Sequence, residues 1–155
     1  MTIDLNVTIN GVQRQITTDP RLTLTEVLRE EVLLTGTKEG CGVGECGTCV
    51  VLADGKPVTS CLVLAGDADG ATIETVEGLA NDGQLTEMQQ AFVNTGAFQC
   101  GFCTPAMVLT TTAIFRENPN PDIEDVKKAL GGILCRCGAY PKILEAVLEV
   151  RGEGT

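Results

Sequence analysis

Ile3, Leu5, Val7 and Ile9 alternate with Asp4, Asn6 and Thr8, the period of a strand with one buried face. Asn10-Gly11 follows as a two-residue hairpin signal, and Val12, Arg14 and Ile16 resume the alternation. Thr23 stands three residues before Glu26, the spacing of a capping box, while Leu22 and Val27 supply a hydrophobic staple. The helix so marked would turn Leu24, Val27 and Leu28 inward. Val50 to Ala53 reads as a strand, Asp54-Gly55 turns the chain, and Thr72 to Val76 predicts a closing strand. A hairpin, a helix and further strands make a small α+β sheet domain.

The second half changes period. Leu85, Met88 and Phe92 recur at helical spacing, with Gly96 where a C-terminal cap would sit. Thr104 is placed to cap a second helix with Pro105 at its first position. Met107, Val108, Thr111, Ile114 and Phe115 line one face of it before Asn118-Pro119 stops it. Asp122 to Leu130 predicts a third helix, acidic early and basic late as the helix dipole prefers. Pro141 opens a fourth, with Ile143, Leu144, Val147 and Leu148 on one stripe. Four short helices suggest a bundle. The boundary falls near Gly78 to Gly83, dividing the chain into 1–79 and 80–155.

Cysteine usage changes the picture. The eight cysteines fall into two groups of four. Cys41-x4-Cys46-x2-Cys49 followed by Cys61 is the run of plant-type [2Fe–2S] ferredoxins, in which four thiolates hold two irons. Cys100-x2-Cys103 followed by Cys135-x-Cys137 makes the second group. The first segment carries no basic leader and no apolar run approaches ~18 residues, so export and membrane spanning are not expected and the cytoplasm is the expected compartment. Many cysteines without an export signal point to metal-bound thiols rather than disulfides. Histidine is absent, which removes imidazole catalysts, His-containing zinc sites and Rieske clusters. A formal charge of −10 argues against nucleic acid and anionic membranes as partners; it otherwise describes a solvated acidic surface.

A four-thiolate cluster is anionic, so its loop must aim backbone N–H groups at sulfur. Gly40, Gly42, Gly44 and Gly47 interleave with the first three cysteines and let the loop wrap closely. Gly42-Val43-Gly44-Glu45-Cys46-Gly47 also has the glycine spacing of a dinucleotide fingerprint, but a strand follows where that motif needs a helix. In the second group, Cys100 and Cys103 stand near a helix start, where the dipole favours thiolate. Spacing alone leaves that group open to [2Fe–2S] or to structural zinc. Arg136, between two ligands, is placed either to raise a cluster's potential or simply to face solvent.

Glu39-Gly-Cys-Gly-Val-Gly-Glu-Cys-Gly-Thr-Cys49, Gln99-Cys-Gly-Phe-Cys-Thr-Pro105 and Leu134-Cys-Arg-Cys137 together resemble the small iron–sulfur subunit of molybdenum hydroxylases, the xanthine oxidase family. The resemblance spans essentially the whole chain. It implies an N-terminal ferredoxin-like β-grasp domain followed by an all-α four-helix-bundle domain, each with one [2Fe–2S] cluster. The implied ligands are Cys41, Cys46, Cys49 and Cys61 for one and Cys100, Cys103, Cys135 and Cys137 for the other. It further implies that Gln99 and Cys137 contact a molybdopterin held by a separate large subunit, and that electrons pass on to an FAD subunit or another acceptor. No catalytic residue is expected on this chain. Ala106, Thr48, Ile133 and Gly138 depart from the family's commonest pattern. A free-standing two-cluster ferredoxin and a zinc-stabilised interaction module are the other readings; the ferredoxin would present polar surface around both clusters, where the subunit would bury the helical one in an apolar interface.

Overall fold

The computed structural model describes residues 1–152, so the last three positions of the expected 80–155 unit lie outside the described residues. The first half is a five-stranded sheet of β1 (Ile3–Ile9), β2 (Val12–Thr18), β3 (Val50–Ala53), β4 (Lys56–Thr59) and β5 (Thr72–Glu74), ordered β2-β1-β5-β3-β4. β1 and β5 run parallel, with Ile9 beside Ile73, and the other pairs are antiparallel. A parallel central pair flanked by two hairpins is the β-grasp arrangement expected from the resemblance. Both hairpin turns use the predicted dipeptides in left-handed conformation: Asn10 and Gly11 at φ 50° and 77°, Asp54 and Gly55 at 49° and 80°.

Leu5, Val7 and Ile9 fill the core beneath β1, as their period requires. β2 does not follow its pattern inward: Val12 is exposed and Ile16 only half-buried, because β2 is the sheet edge with no layer over that end. The Thr23 capping box forms, with Glu26 Oε2 accepting the Thr23 N–H at 2.7 Å. The helix it starts is short. α1 (Leu24–Glu26) widens at once into a π turn over Val27–Glu31, and it still buries Leu24, Val27 and Leu28 against the sheet.

The second half is helical: α2 (Glu87–Thr95), α3 (Thr104–Glu117), α4 (Ile123–Leu130) and α5 (Tyr140–Val150). α2 begins two residues later than its apolar pattern suggests, because a Thr86–Gln89 capping box sets its start. Leu85 is thereby left outside the helix and half-exposed. α3 likewise begins one residue early, with Cys103 as N-cap and Thr104 inside the first turn. Gly96 caps α2 at φ 64°, as expected, and Asp122 stands just outside α4 as its cap, accepting the Glu124 N–H.

β3 belongs to two interiors. Val51 points into the sheet's core, whereas Val50 and Leu52 join the core of the helical half, packed with Leu109 and Ile133 among others. The bidentate Arg116–Glu74 pair, at 2.5 and 3.0 Å, ties α3 to β5 at the rim of that contact. This close seating brings Cys46 and Gly47 against Gly132 to Leu134, just before the second cysteine pair.

Candidate metal centres

Residues 38–49 form a loop without regular structure, wound so that its amides converge. Gly42, Gly44 and Gly47 sit at φ +65°, +80° and +68°. The N–H groups of Val43, Glu45 and Cys46 all donate to Cys41 Sγ, at 3.4, 3.3 and 3.4 Å. Three amides on one sulfur stabilise its anion, and the Cys41 thiol is pulled down to about 7, chiefly by Val43 N–H and Cys46 N–H. Cys61 enters from a 3-10 turn over Ser60–Leu62 beyond β4. Burial pushes its thiol up to about 11; the neighbouring Cys49 thiol adds to the rise, and Gly44 N–H opposes it.

Behind these sulfurs lies a dry polar clamp. Ser60 Oγ donates to the Cys49 carbonyl at 2.6 Å and meets Thr25 Oγ1 at 2.6 Å, with both side chains fully buried. It ties α1, the Cys49 end of the loop and the Cys61 turn together, so these two sulfur-bearing segments cannot shift independently.

The helical group is assembled from two turns. Cys103 caps α3 and is buried, which with the adjoining Cys135 thiol pushes it up to about 12. Cys100 is exposed and held below the ordinary thiol range by Phe102 N–H and by Cys137. At Cys135 burial opposes ionisation, but Ala139 N–H at 3.4 Å, the Cys103 thiol and the N–H groups of Cys137 and Gly138 outweigh it. Tyr140 OH accepts the Cys135 N–H at 2.8 Å and donates to the Ile133 carbonyl at 3.0 Å, bracing the turn from behind.

All eight cysteines are free thiols, and within each group they lie near one another: Cys61 is influenced by Cys49 and Cys41, and Cys103 by Cys135 and Cys100. Among the described residues no three Cys, Asp or Glu side chains gather closely enough to share one ion. A single tetrahedral zinc needs all four sulfurs around one point. Two irons bridged by sulfide need two thiolates each, a demand that four cysteines in each group meet. The all-thiolate donor set fits [2Fe–2S], and the first group carries the plant-type spacing of that cluster. Loading must expel protons from the reluctant thiols Cys61 and Cys103.

Residues 7–80 match the family model of a 2Fe-2S iron-sulfur cluster binding domain, and residues 75–148 that of a [2Fe-2S] binding domain. Over 145 residues the chain is 50% identical to the nicotinate dehydrogenase small FeS subunit of Eubacterium barkeri, covering 94% of this chain and 92% of that one. It belongs to the iron–sulfur subunits of the molybdenum hydroxylase family. Solved structures agree with that membership. Quinoline 2-oxidoreductase from Pseudomonas putida 86 superposes with a TM-score of 0.94 at 44% identity, covering 97% of this chain and 94% of that one. The aldehyde oxidoreductase of Desulfovibrio desulfuricans ATCC 27774 does so with a TM-score of 0.90 at 36% identity, over 98% of this chain but 18% of the other. As a molybdenum hydroxylase iron–sulfur subunit, the chain is an electron-transfer component of an oxidoreductase, with two [2Fe–2S] domains.

Gln99 and Cys137, the pterin-facing pair of the resemblance, are brought together: Gln99 Nε2 donates to the Cys137 carbonyl at 3.3 Å. Arg136 is exposed. Sequence reasoning gave no role to Ser60, Thr25 or Tyr140. Their signals are faint: a serine directly before a cysteine, and the single tyrosine of an aromatic-poor chain.

Proposed function

We propose that this subunit carries electrons from a molybdopterin centre on a separate large subunit, through the helical site and then the ferredoxin-like site, to an FAD subunit or another acceptor. When bound, each [2Fe–2S] cluster would supply a one-electron redox centre. Cys41, Cys46, Cys49 and Cys61 would hold one, and Cys100, Cys103, Cys135 and Cys137 the other. The observation that supports a relay between the two sites is a backbone bond: Leu134 N–H donates to the Cys46 carbonyl at 2.9 Å, directly joining a residue beside Cys135 to a cysteine of the other group. Phe102 reinforces the junction, its ring lying over Gly40 just before Cys41.

Each site also has its own outward face. Phe98, Phe102 and Leu134 leave 43%, 42% and 58% of their surface exposed around the helical site, and Val43 and Leu62 leave 64% and 63% around the other. Exposed apolar side chains beside both sites support docking on partner subunits more than they support a free-standing ferredoxin. Gln99, bonded to Cys137, would orient that cysteine's backbone toward the partner's pterin. No described helix is long and apolar enough to cross a membrane, and the cytoplasm is the proposed compartment.

The test uses the complex purified anaerobically with its partners. Wild type is expected to contain about four irons per chain with matching acid-labile sulfide, for two [2Fe–2S] clusters. Gln99→Ala is expected to keep that content but slow reduction of the helical cluster by substrate, followed by rapid-freeze EPR. An unchanged rate removes Gln99 from the electron path, and zinc in place of iron removes the whole reading.

A further inference from the structure

We propose that the Thr48 hydroxyl sets the reduction potential of the ferredoxin-like cluster through its contact with Cys46 Sγ; this rests on the cluster reading above and goes beyond it. Two sulfurs of the loop, Cys41 and Cys46, are served differently. Cys41 Sγ receives three backbone N–H groups, whereas Cys46 Sγ is met by a side-chain hydroxyl, Thr48 Oγ1 at 3.1 Å. Thr48 is 4% exposed, so water does not compete for that hydroxyl.

The hydroxyl has one proton and two acceptors. Thr48 Oγ1 also lies 3.2 Å from the Lys38 carbonyl, to which it donates. A metal-bound Cys46 is a thiolate and can only accept, so the proton is directed either to the carbonyl or to sulfur. Adding one electron to the cluster raises the negative charge on its sulfurs and tilts that choice toward Cys46 Sγ. No covalent bond forms or breaks, and the proton stays on Oγ1 as the hydroxyl turns. A donor that serves the reduced form better than the oxidised one raises the potential.

Gly40 supports the same conclusion from the other side. A Cβ at position 40 would lie 2.8 Å from Thr48 Oγ1 and 2.9 Å from Cys46 Sγ, closer than real Cβ atoms come. Gly40 is not among the residues at positive φ, so its missing side chain is required by this contact rather than by backbone conformation. The space above the hydroxyl and sulfur is kept clear for them.

The experiment is an EPR-monitored redox titration of the loaded complex, with dithionite as reductant. Thr48→Val keeps the buried volume and removes the proton. It is expected to lower the reduced-to-oxidised ratio of the ferredoxin-like cluster at fixed ambient potential about threefold to tenfold, tenfold being about 59 mV for one electron. Thr48→Ser is expected to hold the wild-type value, Gly40→Ala to fall with Thr48→Val, and the helical cluster to stay fixed throughout. An unmoved potential in Thr48→Val, or an equal fall in Thr48→Ser, overturns the proposal. Should Thr48→Val not load, Thr48→Ala is read the same way; loss of iron from both also overturns it, since the hydroxyl would then hold the loop rather than tune it. Wild type lacking iron would sink the cluster reading itself, whereas intact signals with unmoved potentials sink only this inference.

Discussion

Tyr140 satisfies two backbone groups of the Cys135 turn at once, one by accepting and one by donating. Tyr140→Phe keeps the ring but strands the Cys135 N–H and the Ile133 carbonyl in a half-buried turn. An unsatisfied pair of this kind costs about 1–3 kcal/mol. Chemical denaturation of the loaded protein should register that loss, with a changed EPR line shape for the helical cluster alone. An unaltered line shape would mean the hydroxyl does not brace the ligand turn. The cysteines were legible from sequence because their spacing is itself the ligand chemistry. Tyr140, Ser60 and Thr48 were not, because each acts on a backbone group or a sulfur whose position only the folded chain defines. Gln99 entered through the family resemblance, and no periodicity or spacing marks it.

Among elements, the starts of α1 and α4 and both tight turns were legible because each is fixed by side chains within four residues. Longer-range competition set the rest. Thr86 and Gln89 shift α2 past Leu85, Cys103 takes the cap expected of Thr104, and β2 loses its inward face by lying at the sheet edge. The junction of the two cysteine loops had no sequence signal at all. Gly47, at φ +68°, is buried there, and a Cβ on it would overlap the Gly132 carbonyl. Gly47→Ala therefore combines a left-handed backbone with a clash against main chain, which cannot rotate away. It is expected to push the loops apart and break the Leu134–Cys46 bond. Weaker magnetic interaction between the two reduced clusters, with both still loaded, is the reading to look for in EPR. An unchanged interaction would show that the loops have slack at this point.

Across the molecule, the expected division at 79/80 separates two kinds of secondary structure more cleanly than it separates two interiors. Val50 and Leu52 reside in the helical core at 7% and 0% exposure while their neighbour Val51 sits in the sheet core. Full burial of such side chains stabilises by about 1.5–3 kcal/mol each. The exposed Arg116–Glu74 pair contributes far less, within about 1 kcal/mol. Residues 1–79 produced alone are expected to self-associate through the bared face of β3, as light scattering would detect. A monodisperse, iron-loaded fragment would show that the sheet half is self-sufficient.

β3 works as a party wall, with one tenant on each side. A protease nick or a gene break that parted the halves would bare Val50 and Leu52. Any redesign that grafts one redox module without its neighbour has to supply a replacement for the side of the wall left standing in the open.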